Sequence, residues 1–451
     1  MPDTRKVWIV GAGLAGSEAA LLLARAGLEV RLIEMKRQRP NPAQHSQNFA
    51  ELVCSNSLRS TALDNANGLL KEELSKLGSP LLSLAQAHAV PAGQALAVDR
   101  EAFSRAVTEA IEAQGRIHVE EREVLSLGEF PAGETVLVAA GPLCAAPLFA
   151  DLEARFGQER LAFFDAAAPL IEASSINYDI AFFQSRYDKG GADYLNCPLN
   201  REEYLCFLEA LLSAEKAEVK DFDQDLPVVF ESCMPIEVMA ARGEDAIRFG
   251  PMRPVGLRDP RSGKRPYAVV QLRKDNATAS LYNMVGFQTR LKFPEQRRVF
   301  RLIPGLEEAE FARYGVMHRN CFLNSPAILG PNLAAKKQPE LYFAGQLIGL
   351  EGYMQAVASG LLAAYNILAR HSGEADFICP PESIIGSLQR YLVTADAEHF
   401  QPMNANFGLL PAPDPEVHKR ERRACLQARA QRRLDEYLLQ RSGLLTKMRG
   451  A

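Results

Sequence analysis

Two of the eight cysteines, Cys54 and Cys233, stand where a thiol could do chemistry as well as fill a core. Cys54 lies in the polar turn of Glu51-Leu52-Val53-Cys54-Ser55-Asn56-Ser57-Leu58. No second cysteine follows within a few residues, so the turn lacks the paired dithiol that direct disulfide exchange needs. Cys233 sits in Phe230-Glu231-Ser232-Cys233-Met234-Pro235-Ile236-Glu237, just past an apolar run, at a strand end where functional side chains often project. Two nearby carboxylates, Glu231 and Glu237, raise the pKa of such a thiol, so a reactive thiolate there needs a cation or a helix end beside it. Packing as a small buried residue remains an open reading for either cysteine. No cysteines have C-x-x-C spacing and the seven histidines are scattered, which gives no reason to expect a metal.

The elements that must position these thiols begin with a nucleotide cradle. A short apolar strand, Lys6 to Val10, runs into Gly11-Ala12-Gly13-Leu14-Ala15-Gly16, then a helix, a second strand over 29–33, and Glu34. Gly11 permits a sharp turn, Gly13 leaves room for a pyrophosphate, and Gly16 lets the helix pack tightly on the sheet. Leu14, Ala19, Leu22, Leu23 and Ala26 give that helix an apolar face, and Gly27 ends it. Its N-terminal amides and dipole attract phosphates, while Glu34 accepts ribose hydroxyls and repels a 2′-phosphate.

Two later segments choose the dinucleotide. Residues 341–364 read as strand, glycine turn and small-residue helix, with Gly345, Gln346, Gly352 and Tyr353 in the turn. In flavoenzymes of the glutathione-reductase type such a segment aims a helix N-terminus at the flavin pyrimidine. Ala356, Ser359, Gly360 and Ala363 suit a close helix approach. Thr135-Val136-Leu137-Val138-Ala139-Ala140-Gly141 reads as a buried parallel strand ending in glycine, as in the same flavoproteins. Three segments in this order favour FAD over NAD, and an α/β architecture: a glutathione-reductase-type, FAD-binding Rossmann domain with an inserted smaller α/β domain.

With 451 residues, 47% of them hydrophobic and 24% charged, the chain can bury a large core and form two domains. We expect the FAD domain over 1–165 and 326–451, and an inserted substrate domain over 166–325. Within the first part, 35–95 is an excursion with a helix near 68–77; Asp99 caps a helix over 100–113, and strands at 117–119 and 136–140 return to the sheet. Short strand-like runs at 226–230, 267–272 and 280–285 mark the insert. Helices are expected over 384–398 and 416–441, the second after a loop containing Pro411, Pro413 and Pro415. No apolar run approaches the roughly 20 residues needed to span a bilayer, and Met1 to Lys6 carries no signal-peptide pattern, so a cytoplasmic protein without a membrane partner is expected.

Net charge is −4, which does not advertise nucleic acid. Residues 418–451 depart from that balance, with ten basic residues against three acidic. Such a stripe could follow a phosphate backbone or be a solvated helix face. Phe249 to Pro254, Gly286 to Lys292 and Tyr314 to Asn320 each combine planar or cationic side chains with a glycine- or proline-shaped loop, as a flat anionic ligand requires.

Taken together these segments resemble the bacterial folate- and FAD-dependent tRNA (uracil-5-)-methyltransferases. The likeness runs nearly end to end, through GAGLAGSEAA, ELVCSNSL, VPAGQALAVDRE, KGGADYLNCPLN, FESCMPIE, FGPMRPVGL, GFQTRLKFPEQ, RYGVMHRN and LYFAGQLIGLEGYMQAVASGLLAA. Cys321, where a threonine is expected, is a small departure that touches no assigned role. The resemblance implies formation of 5-methyluridine in the tRNA T-loop, with methylenetetrahydrofolate as carbon donor and NAD(P)H as reductant. Its chemistry is coherent. Uracil C5 is a poor nucleophile, and a thiolate adding at C6 generates an enolate able to attack a one-carbon electrophile. Taking that carbon from the formaldehyde level to methyl needs two electrons, which a reduced flavin supplies after recharging by NAD(P)H.

By motif, the resemblance makes Cys233 the C6 nucleophile and Cys54 the thiol beside the flavin that helps remove the C5 proton, with the reverse assignment open. It also implies that His318 or Arg290 contacts folate. Three alternatives remain: the same chemistry on a ribosomal RNA uridine, a longer FAD protein that modifies wobble uridines with a GTPase partner, and a flavin-containing RNA-binding protein without turnover. The paired cysteine motifs favour the methyltransferase over the second.

Overall fold

The computed structural model describes residues 6–41, 43–157, 161–188, 191–217, 234–413, 417–418 and 420–450, with main chain alone at 161–166, 318 and 319. Cys233 and the strand expected at 226–230 lie outside the described residues. Lys6–Val10 pairs in parallel with Glu29–Glu34 on one side and Thr135–Val138 on the other. Ile117–Glu121 and Gln338–Phe343 extend the parallel array outward, and Ala334–Ala335 closes one edge in antiparallel fashion. A parallel strand covered on both faces must be apolar throughout, and every residue of Thr135–Val138 is buried.

Two helices lie together beside this sheet. Leu14–Arg25 follows the opening strand and Tyr353–His371 follows Gln338–Phe343. Their backbones nearly touch, because a Cβ built on Gly360 would stand 2.2 Å from the Ala15 carbonyl oxygen. Within the opening helix, fully buried Glu18 accepts a hydrogen bond at 3.0 Å from the Leu81 N–H, at the start of helix Pro80–Ala87. Arg100–Glu112 begins at Asp99, whose carboxylate accepts from the Ala102 N–H at 3.0 Å.

One apolar core draws on 7–152 and again on 322–448, and a second lies wholly within 171–309. The second is built on an antiparallel sheet, ordered Phe182–Phe183, Tyr194–Leu199, Ala268–Lys274, Leu281–Met284, Leu170–Glu172, Phe311–Arg313. The chain passes between the cores twice, and the two passages, Leu161–Ala166 and Met317–Phe322, pair as an antiparallel ribbon.

The C-terminal region differs from the expected single helix. It forms Arg422–Gln440 and then Ser442–Arg449, with Leu426, Ala430 and Leu434 at four-residue spacing buried on the first core. Part of its positive charge is an anchor: Arg429 donates to the Ala412 and Pro411 carbonyls, Arg441 to Ala375, and Arg449 to Lys76. The helix expected over 384–398 stops at Thr394, because Asp396 accepts from the Glu398 N–H in a local turn and 396–399 are exposed, leaving nothing to support another turn. No helix among the described residues is long and apolar enough to cross a membrane.

Gly360→Ala should force the two helices apart and cost about 1–3 kcal/mol, read as a lower Tm together with loss of bound cofactor on purification. Burial lifts the Glu18 carboxyl from 4.5 to about 8. The native state therefore holds this proton more tightly than the unfolded chain. The resulting stability is full below pH 4.5 and is lost as pH rises through about 8. Denaturant midpoints measured across that window should fall with pH, and Glu18→Gln should flatten the slope.

Candidate functional site

A cavity of about 460 Å³ opens where the ends of the two central strands meet the N-termini of both helices. Of the residues expected to bind the cofactor, Gly11, Gly13, Leu14, Ala15, Glu34, Gly141, Gly345, Gln346, Gly352 and Tyr353 line it, and so does Cys54. Ala12 and Gly16 stand behind the wall. Gly11 has φ +100°, and a Cβ there would meet the Ala139 carbonyl at 2.6 Å; a Cβ on Gly16 would lie 1.8 Å from the Gly11 carbonyl oxygen. At Gly13, by contrast, an added Cβ meets nothing within 4 Å.

That contrast tests the fit to FAD. The glycines that shape the turn are closed in by protein, while the one expected to admit a pyrophosphate faces open space. The first amides of each helix have no acceptor within their own helix, so both N-termini present donors and positive dipole ends at the cavity. Glu34 accepts hydrogen bonds from the Ala12 N–H at 2.7 Å and the Lys36 N–H at 2.9 Å. It thus ties the glycine turn to the second strand, and its carboxylate oxygens retain further lone pairs for a ribose hydroxyl. These residues fit the dinucleotide expected from the sequence.

The Cys54 turn is held from three directions. The phenolic oxygen of Tyr353, first residue of its helix, accepts from the Cys54 N–H at 2.8 Å and the Ser55 N–H at 3.1 Å. Burial, with the nearby Cys54, pushes the Tyr353 phenol far above its ordinary range, so it stays neutral. Arg273, from the second sheet, donates to Asn56 Oδ1 and to Ser55 Oγ, each at 2.9 Å. Arg100 donates to the Leu52 carbonyl at 3.0 Å and forms a buried ion pair with Asp275 at 2.8 Å. Breaking such a pair on one side strands a buried charge.

The remaining expected residues divide. Arg290 does not line the cavity. Its N–H donates to Glu237 Oε1 at 2.9 Å, and its guanidinium Nε lies 4.0 Å from the same buried carboxylate. His318 lies in Met317–Phe322 opposite Asp165, and two residues on, Asn320 reaches the cavity wall. Gln288 also lines the cavity, and its carbonyl accepts from the Ile236 N–H at 2.7 Å, so the described end of the Cys233 motif is tied to a wall residue. Sequence reasoning reached Gln288 and Asn320 only as members of the segments 286–292 and 314–320, and missed Arg59 and Cys144 as wall residues. Cys144 had a signal, since it follows Gly141 by three residues; Arg59, in a left-handed turn at φ +66°, had none.

A family model described as Glucose inhibited division protein A matches residues 6–375. The chain is 55% identical over 423 residues to the methylenetetrahydrofolate--tRNA-(uracil-5-)-methyltransferase TrmFO of Lacticaseibacillus paracasei, across 94% of this chain and 95% of that one. It belongs to the TrmFO family. The TrmFO of Heliobacterium modesticaldum is 52% identical, across 95% of this chain and 96% of its own. Two solved structures of Aquifex aeolicus GidA share the fold, with TM-scores of 0.68 and 0.67 at 17% and 16% identity, covering 98% of this chain and 76% and 73% of theirs. The glycine turn, the Cys54 turn and the Tyr353 helix of this TrmFO family member thus converge on one cavity although the chain separates them widely.

Tyr353→Phe leaves two half-buried N–H groups without their acceptor, at a cost of about 1 kcal/mol. The expected outcome is a lower Tm and faster alkylation of Cys54 by iodoacetamide, followed by mass spectrometry of the Cys54 peptide. Unchanged values of both would show that the phenol does not hold the turn.

Proposed function

We propose that the protein is a folate- and FAD-dependent methyltransferase that forms 5-methyluridine in the T-loop of tRNA, with methylenetetrahydrofolate as carbon donor and NAD(P)H as reductant. One observation carries the reading: the Cys54 turn is hydrogen-bonded to the first residue of the helix that opens on the cavity. A thiol so placed has little use in a protein that merely carries a flavin. Its presence in a chain 55% identical to a named methyltransferase gives it a reaction.

Gly13, with the first amides of Leu14–Arg25, holds the pyrophosphate, Gly11 and Gly16 shape the turn that presents them, and Glu34 holds a ribose. The amide end of Tyr353–His371 stabilises negative charge on the ring system. Bound there, the flavin supplies the two electrons that bring a one-carbon unit to the methyl level. Cys233 adds through sulfur to uracil C6, which makes C5 nucleophilic toward the folate-derived carbon. Cys54 takes the C5 proton as the carbon–nitrogen bond breaks and tetrahydrofolate leaves, and once that carbon has been reduced to methyl the C6–S bond breaks, freeing the Cys233 thiol and leaving 5-methyluracil in the RNA. Arg290 and His318 serve the folate from the insert, 166–325, which is packed over the cavity of the FAD domain formed by 1–165 and 326–451. The work belongs to the cytoplasm, where tRNA is available.

The test supplies labelled methylenetetrahydrofolate, NAD(P)H and separate tRNA and ribosomal RNA substrates to the purified holoenzyme. Label should appear in 5-methyluracil of the tRNA T-loop alone. Cys233→Ser should abolish incorporation and Cys54→Ser should slow it about 10²- to 10⁴-fold, both with FAD absorbance intact. Wild-type rates in either variant, or label confined to ribosomal RNA, would overturn the reading.

A further inference from the structure

A second cavity, a groove, lies outside the cofactor site and is lined by Phe293, Pro294, Arg297, Arg298, Arg301 and Tyr314. Three rings lie nearly parallel here, Phe293 and Tyr314 in the wall and Phe311 next to Tyr314. Phe311 and Tyr314 have centroids 5.4 Å apart with planes at 18°, and Tyr314 and Phe293 are 4.8 Å apart at 14°. The ladder ends on Phe293, which is 51% exposed. Nothing on its own helix explains an aromatic residue half in water at the end of an ordered stack.

Cations surround that ring. Arg297 and Arg301 share one carboxylate, Glu310, at 3.0 and 2.9 Å, while Arg298 pairs with Glu295 at 2.6 Å. One carboxylate serving two guanidinium groups leaves a positive charge unmatched. The pairs are also solvent-exposed, so little is lost when an arginine turns to another anion. The loop after Tyr314 packs on the wall of the reaction cavity. A Cβ on Gly315 would lie 2.7 Å from the Ala167 carbonyl oxygen and from Thr289 Cγ2, and both Ala167 and Gln288 line the cavity.

We propose that this groove seats a nucleotide of the RNA substrate close to the reacting uridine, its base stacked on Phe293 and its phosphates met by Arg297 and Arg298. A base has the planar face needed to add a fourth layer, and phosphates are the anions that exposed arginines take up when RNA displaces counter-ions. The glutamyl tail of a folate would engage the arginines but leave the end of the ladder bare. This assignment rests on the reading of the protein as an RNA methyltransferase.

A fluorescein-labelled T-arm transcript titrated into the FAD-loaded enzyme reports the platform by anisotropy. Phe293→Ala should weaken binding about tenfold, with Phe293→Trp restoring it. Arg297→Ala should reduce the salt dependence by about one unit of slope. FAD content, melting temperature and the KM for methylenetetrahydrofolate should stay at wild-type values in all three. Unchanged RNA affinity in Phe293→Ala would overturn the proposal, and a raised folate KM in its place would make the groove a folate-tail site. Labelled 5-methyluracil formation by the wild type is followed in parallel. Its absence, with RNA binding still sensitive to Phe293, would count against the methyltransferase reading and leave the platform standing.

Discussion

Two helices that begin far apart in sequence can open on one cavity only if their backbones come into contact, and Gly360 against Ala15 is where that happens. Any side chain at 360 would lift Tyr353–His371 away from Leu14–Arg25 and carry its N-terminus off the cavity. The close approach does more than fill space. It brings two positive dipole ends to one volume of about 460 Å³, which suits a ligand with negative charge at two separated places.

The same approach decides where Cys54 lies. Tyr353 begins the returning helix, so the position of that helix fixes the phenolic oxygen, and the phenolic oxygen fixes the amides of Cys54 and Ser55. Arg273 grips the next two side chains from the opposite side, through Ser55 and Asn56. A polar turn of this kind gains little from apolar burial, and its order must come from hydrogen bonds reaching in from elements already placed. Since Arg273 belongs to the second sheet, Asp275 directly follows its strand, and Arg100 opens a helix of the first core, the turn is formed completely only when both cores are assembled.

The nucleotide cradle was legible because its causes are local. The turn at Gly11, the tight packing at Gly16 and the open face of Gly13 lie within six residues, and the carboxylate that braces them comes one strand later. Asp99 as a helix cap was readable for the same reason. What stayed hidden was long-range. Nothing near Cys54 announces Tyr353, and nothing near Asn56 announces Arg273, since contacts across 299 and 217 residues leave no periodicity to read. Arg290 shows the same limit, since its loop can be read as glycine-shaped but not its place against the buried carboxylate of Glu237, nor that its neighbour Gln288 reaches the cavity wall.

Glu237 joins two stretches of the chain that the sequence separates. Its two oxygens accept from the Thr289 hydroxyl and the Arg290 N–H, both at 2.9 Å, and Ile236 bonds to the Gln288 carbonyl at 2.7 Å. The end of the Cys233 motif is thereby clamped to the chain that lines the cavity, with a carboxylate wholly inside the protein as the fastener. A buried anion is tolerated only where donors surround it, so the register between these two segments is strongly specified: a slip of one residue would leave Glu237 facing the wrong groups. Tyr353 thus holds the Cys54 turn from a helix far along the chain, and Glu237 holds the described end of the Cys233 motif to the stretch that includes Gln288.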